Sequence, residues 1–277
     1  MVQLRASTIR RTAATTTIFR KLRKKPLSIA TTFPSIIFVA SMLTLTPTIG
    51  IALAATLTGT NGADTLRGTN NSDTIYGKGG NDKIYGYGGN DKLYGGRGND
   101  RIEGGDGSDY ISGWYGGNTL YGGKGNDRIY STGPSSTSES SFPMNEIHGN
   151  AGDDYIKVVS QNARIYGEAG ADTIIAIGGD EELVNQIVYG GSGRDVIETD
   201  YVAYGEGGND RLKGRFNAAL HGGDGDDILE ANGADHIRFT GGPGADHFDC
   251  GGVGEDVTIR DFNPSEGDTK TADCENF

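Results

Sequence analysis

GTNGADTLRGTNNSDTIYGKGGNDKIYGYGGNDKLYGGRGNDRIEGGDGSDYISGWYGGNTLYGGKGNDRIY, residues 59–130, reads in steps of nine without a break. Eight units begin at Gly59, Gly68, Gly77, Gly86, Gly95, Gly104, Gly113 and Gly122. Position one is always Gly, position six is Asp in all but one unit, and position eight is always Leu or Ile. Turn preference explains Gly and Asp separately, but not their fixed phase. Self-similarity at a fixed short period is the mark of a solenoid, in which each unit buries its apolar residue only against its neighbours.

Each position has a physical reading. Gly at positions one, two and four permits positive φ and lets carbonyls turn toward a bound ion. Position six supplies a carboxylate, a hard oxygen ligand suited to Ca²⁺. Positions seven to nine are a minimal strand, with residue eight pointing one way and its neighbours the other. The unit resembles the hemolysin-type (RTX) calcium-binding nonapeptide GGxGxDxUx. The resemblance implies an all-β fold, a right-handed parallel β-roll (a β-solenoid with two parallel sheets). Two units make a turn of 18 residues, and Ca²⁺ ions sit between stacked loops, held by position-six aspartates and loop carbonyls.

After Tyr130 the register loosens. GNAGDDYIK, GEAGADTII, GGSGRDVIE, GEGGNDRLK, GGDGDDILE and GGPGADHFD begin at Gly149, Gly167, Gly190, Gly205, Gly222 and Gly241, at spacings of 15 to 23. Each now marks a whole turn, and the motif-free half ends in a strand-like run such as Glu146-Ile147-His148 or Val202-Ala203-Tyr204. One side of the roll therefore keeps its calcium loops, while insertions fall on the other. The largest insertion is the Ser-rich loop Ser131–Met144.

Phase assigns the aspartates to columns. One column carries Asp64, Asp82, Asp100 and then Asn118, which keeps an oxygen acceptor but loses the charge. The other carries Asp73, Asp91, Asp109, Asp127, Asp154, Asp172, Asp195, Asp210, Asp227 and Asp246. By the resemblance these residues hold the metal, in nine gaps of the long column and in two or three of the short one. A last motif, GGVGEDVTI from Gly251, adds Asp256, paired with Asp235 on the variable side. The core is expected as two rows. One runs Ile75, Leu93, Ile111, Ile129, Ile156, Ile174, Ile197, Leu212, Leu229 and Phe248. The other runs Leu66, Ile84, Ile102, Leu120, Ile147, Ile165, Val188, Ala203, Leu220 and Phe239.

The ends differ in kind. Residues 1–54 hold eight basic side chains and no acidic ones, followed by the apolar Ile36–Leu45, Pro47 and Ala52-Leu53-Ala54. That order is the plan of a secretory signal peptide, with a membrane anchor as the alternative if it is not cleaved. Without it, 17 basic and 37 acidic residues leave a net charge of −20, against −12 for the whole chain. Phosphate contacts need Lys and Arg patches, so nucleic acid is not an expected partner. With 35% hydrophobic residues and 47 Gly, the core is too thin to hold so acidic a chain without cations. Residues 55–130 are read as the regular roll, 131–260 as its one-sided continuation and 261–277 as a cap. Cys250 and Cys274 suit a disulfide in an exported chain; a zinc site with His236 and His247 is the alternative.

No enzyme signature appears: HExxH and GxSxG are absent, and carboxylate pairs such as Asp226-Asp227 fall inside calcium loops. The other functional hint is position nine of the second sheet, where Tyr85, Glu103, Tyr121, His148, Tyr166, Tyr189, Tyr204 and His221 face outward. Cross-strand stacking is one reading. An aromatic platform for a cell-surface glycan or for self-association is the other. The expectation is a secreted, extracellular or cell-surface calcium-binding roll without catalysis, acting as a structural or adhesive module. A carbohydrate-binding module using Tyr85, Tyr121, Tyr166, Tyr189 and Tyr204 is the alternative.

Overall fold

The computed structural model describes residues 53–132, 144–159, 162–178, 185–232, 236–252 and 257–274. All of them belong to the second of the two units into which the chain divides, residues 35–277. The leader expected over 1–54 therefore lies outside the described residues, apart from its last two.

A three-residue strand with one apolar side chain cannot bury itself, so the chain alternates between two sheets and lays each strand beside the one two units earlier. Twelve described strands form one sheet and eleven the other, in strict odd and even order, and every pairing is parallel. Ile75 lies beside Leu93 in the first sheet, and Ile84 beside Ile102 in the second, which is the 18-residue turn. The two expected core rows face each other, and their members are fully buried or nearly so. Leu57, in the strand Thr56–Thr58 ahead of the repeats, begins the first row, which the nine-residue register alone does not predict.

Past Tyr130 the strand ladders hold their register while the connections change length. Length variation falls on connections leading from the first sheet to the second, such as 133–143, which lies outside the described residues. Ser131 and Thr132 belong to the strand Arg128–Thr132 rather than to the Ser-rich insertion, and Ser131 is buried with its Oγ 3.2 Å from Asn145 Oδ1. Connections from the second sheet to the first keep the motif, except the last, residues 260–268. In the last turn the strand Thr269–Lys270 pairs with His247–Asp249. Cys250 and Cys274 are joined, with Cα atoms 5.3 Å apart, which removes both thiols from any zinc site. His247 Nδ1 lies 2.8 Å from Thr269 Oγ1 instead.

One sequence expectation needs correction. From Gly77 to Gly241 the position-one glycines do not have positive φ; positions two and four do, and Lys78, Tyr87, Trp114, Asn150, Glu168 and Glu206 adopt it at position two. Position one requires Gly for space. A Cβ at Gly86 would sit 2.2 Å from Asp91 Oδ2 and 2.4 Å from the Gly104 carbonyl oxygen.

Candidate metal centre

Each loop ends on an aspartate whose carboxylate reaches back along its column. Asp91 Oδ1 accepts the backbone N–H of Asp73 at 2.7 Å, and Asp109 Oδ1 accepts that of Asp91 at 2.7 Å. The relation continues through Asp127, Asp154, Asp172, Asp195, Asp210, Asp227 and Asp246 at 2.7–2.9 Å. It survives sequence separations from 15 to 27, so geometry, not spacing, defines the column. The short column does the same from Asp64 to Asp82, Asp100 and Asn118.

The second carboxylate oxygen is the distinctive one. In Asp82, Asp91, Asp100, Asp109, Asp127, Asp154, Asp172, Asp195, Asp210, Asp227 and Asp246, Oδ2 is buried and has no hydrogen-bond partner. Each of these aspartates is at most 2% exposed, and a buried ionised oxygen left unpaired is strongly destabilising. The orphaned oxygen borders the space that the position-one glycine leaves, and the next turn's position-one carbonyl oxygen borders it in most turns. At Gly167, for example, a Cβ would lie 2.4 Å from both Asp172 Oδ2 and the Gly190 oxygen. The result is a row of small cradles lined by carboxylate and carbonyl oxygens, the donor set of a hard divalent cation. Among the described residues no cluster of three or more Asp, Glu, His or Cys side chains could hold a metal. A donor set here would have to include backbone carbonyls.

Burial pushes these carboxyls well above the ordinary range, partly offset by the N–H of the preceding turn. Asp127 rises to about 8, and Asp91, Asp172, Asp195 and Asp227 to about 7, with neighbouring carboxylates adding to burial. Asp100, Asp109, Asp154 and Asp246 rise to about 6. Such a site demands a positive charge, supplied by a proton or by a metal ion.

The columns end where protein donors replace the cradle. Asp64 Oδ2 accepts from Thr60 N–H and Oγ1, and Asp73 Oδ2 accepts from Thr69 N–H and Oγ1. At the other end Asp268 Oδ1 accepts the Asp246 N–H at 3.0 Å, while its Oδ2 accepts the Asn263 N–H at 2.7 Å. Asp268 is the column's eleventh carboxylate and was missed in the sequence; its one signal is an aspartate directly before a short strand-like run. Asn118 Oδ1 accepts the Asp100 N–H, which leaves Nδ2 on the cradle side, the nearest atom to a Cβ at Gly113. Its own N–H goes to Asn145 Oδ1, and Ala163 follows in register. Asp235 and Asp256 lie outside the described residues.

A family model of the RTX calcium-binding nonapeptide repeat, four copies long, matches residues 58–93, 67–102, 85–114, 94–129, 145–158 and 159–183. Comparison with curated proteins and with solved structures gave no match. Over these residues the chain carries RTX calcium-binding repeats, and the described part is a parallel β-solenoid of about 18 residues per turn, consistent with an RTX β-roll.

Proposed function

We propose that the protein is a secreted roll that folds on calcium and serves as an extracellular structural or adhesive module, without catalysis. The observation that carries this is the row of buried, unpartnered Oδ2 atoms, each beside a cradle that only glycine leaves open. The proposed ligands are Asp82, Asp91, Asp100, Asp109, Asp127, Asp154, Asp172, Asp195, Asp210, Asp227 and Asp246 with the adjoining carbonyls. Asp64 offers its unpartnered Oδ1 at the first turn, whereas Asp73 is left out because Ala55 and Thr69 take both of its oxygens. Asn118 is left out because its amide nitrogen faces the cradle. Bound calcium supplies the charge that lets each carboxylate stay ionised in a buried loop. The leader-like 1–54 segment and the Cys250–Cys274 bridge support an oxidising, calcium-rich location.

The aromatic row favours the structural reading of the second sheet. Tyr121, His148, Tyr166, Tyr189, Tyr204 and His221 stack at centroid distances of 4.7–5.2 Å. Ring faces turned to one another cannot carry a glycan, which stacks on faces rather than edges. Tyr85 stands apart from this stack, 6.2 Å from Tyr87.

Calcium titration followed by circular dichroism tests the proposal. Sheet signal should appear at roughly 10⁻⁴–10⁻³ M calcium, the range of extracellular modules, and Mg²⁺ should substitute poorly. A full sheet spectrum in excess chelator at neutral pH and low salt would overturn it.

A further inference from the structure

The ring stack ends differently at its two ends. Before Tyr121, position nine holds Glu103, and the Arg101 guanidinium takes the place of a ring, 4.6 Å from the Tyr121 centroid. That guanidinium is neutralised within the chain: Arg101 Nη2 and Nε lie 2.7 and 2.8 Å from Glu103 Oε1. Ring, guanidinium and carboxylate form one closed group.

After His221 the same column continues with Thr240, too small to fill a rung, and then with Arg260, whose N–H bonds the Phe239 carbonyl. A depression of about 420 Å³ opens there, lined by Tyr204, Ala219, His221, Arg238, Thr240 and Arg260 among others. Both arginines are exposed, and no hydrogen bond or ion pair engages either guanidinium among the described residues. The nearby Asp261 carboxylate is already held by the N–H groups of Gly241 and Gly242, each at 2.9 Å. Burial lowers the His221 pKa, as do Arg260 and Arg238 against an opposing effect of Asp261, which favours the neutral ring. Among the described residues this end thus has the ring and the guanidinium groups of the Arg101 end, but no carboxylate paired with them.

We propose that this depression binds a six-membered ring bearing a carboxylate. The ring takes the rung above Thr240, against the His221 face, and the carboxylate is forked by Arg238 and Arg260. Ladder rungs repeat at about the 4.8 Å strand spacing, so the space over Thr240 between His221 and Arg260 is two spacings wide, enough for one ring. Planar guanidinium groups match a carboxylate in paired hydrogen bonds, and the ring end supplies the stacking. Two sources share this chemistry: an acidic sugar residue of an extracellular polysaccharide, and a free aromatic acid. The inference rests on the calcium-folded roll, since an ion-free surface of this charge repels anions.

The test uses the full chain in millimolar calcium, with binding followed by calorimetry and folding by circular dichroism of the same samples. The probes are a hexuronate trisaccharide, its neutral hexose counterpart and 4-hydroxybenzoate. At least one acid should bind, and the neutral sugar should not. The variant Arg238→Gln/Arg260→Gln should weaken binding roughly tenfold or more. Thr240→Tyr, which completes the rung from within, should abolish binding with the melt unchanged. Binding of the trisaccharide or of the benzoate identifies the source. If neither acid binds the folded roll, or if both variants bind like the parent, the inference falls while the calcium reading stands. If calcium produces no sheet, the calcium reading itself fails.

Discussion

At Gly86 and Gly88 the same residue type answers to different forces. A Cβ at Gly86 would enter the cradle, 2.2 Å from Asp91 Oδ2, whereas one at Gly88 meets nothing nearer than 3.7 Å. Gly86→Ala should cost about 1–3 kcal/mol in calcium, as overpacking does, and lower the number of ions bound. Gly88→Ala should stay within about 0.5 kcal/mol. Paired melts and calorimetric stoichiometry decide it, and equal behaviour of the two variants would remove the cradle. Aspartate divides in the same way between its two oxygens. Asp172→Asn keeps the acceptor for the Asp154 N–H but turns an amide nitrogen into the cradle, as Asn118 does. It should melt below the parent in millimolar calcium, yet at or above it in chelator, where a buried charge has been removed. Asn118→Asp should do the reverse, gaining stability only with calcium. Should Asp172→Asn melt with the parent in calcium, Asp172 holds no ion.

Strands and ladders are the scale at which the sequence is most legible. Position eight is apolar in every unit from Gly59 to Gly241, so the first core row could be written down from phase through Phe248 and the second through Leu120. The later members of the second row, Ile147 to Phe239, are read from strand-like runs. The long column was equally readable after Tyr130, because the motif returns once per turn whatever the other side inserts. What escaped depends on which atom the neighbouring turn takes. The preceding turn's amide claims one aspartate oxygen and orphans the other, and the same claim turns Asn118 Nδ2 inward. Asp268 joins the column from outside any glycine unit. None of these is a property of a nonapeptide read alone. The ring ladder makes its own prediction: Tyr189 stacks on Tyr166 at 5.1 Å and on Tyr204 at 5.2 Å. Tyr189→Ala removes both contacts and should cost about 1–3 kcal/mol in calcium melts, with ion stoichiometry unchanged. A change in stoichiometry instead would tie the sheet face to the loops.

For the molecule as a whole, proton and calcium compete for one row of oxygens, and the pH dependence of folding should change sign between the two. Without the ion, burial holds Asp91, Asp100, Asp109, Asp127, Asp154, Asp172, Asp195, Asp227 and Asp246 at about 6 to about 8, far above a free aspartate. From roughly pH 4 up to these values the rolled chain binds more protons than the unrolled one, so in chelator its stability falls as pH rises. The stabilisation is fully present below the unfolded pKa and is lost through the folded ones. With calcium in the cradles the carboxylates are ionised in the roll, their pKa values drop below those of the unrolled chain, and stability rises over the lower part of that window. Excess charge adds to the fall seen in chelator, since the −20 of residues 55–277 is partly titrated at about pH 5 and its self-repulsion grows toward about pH 8. Melts at about pH 5 and about pH 8, each with chelator and with millimolar calcium, give four numbers. In chelator the acidic sample should hold more sheet and melt higher, and the alkaline one should show little sheet at any temperature. In calcium the order should invert, with the alkaline sample the more stable. A chelator melt that is flat or rises from about pH 5 to about pH 8 would mean that the column carboxylates are not the groups that calcium neutralises.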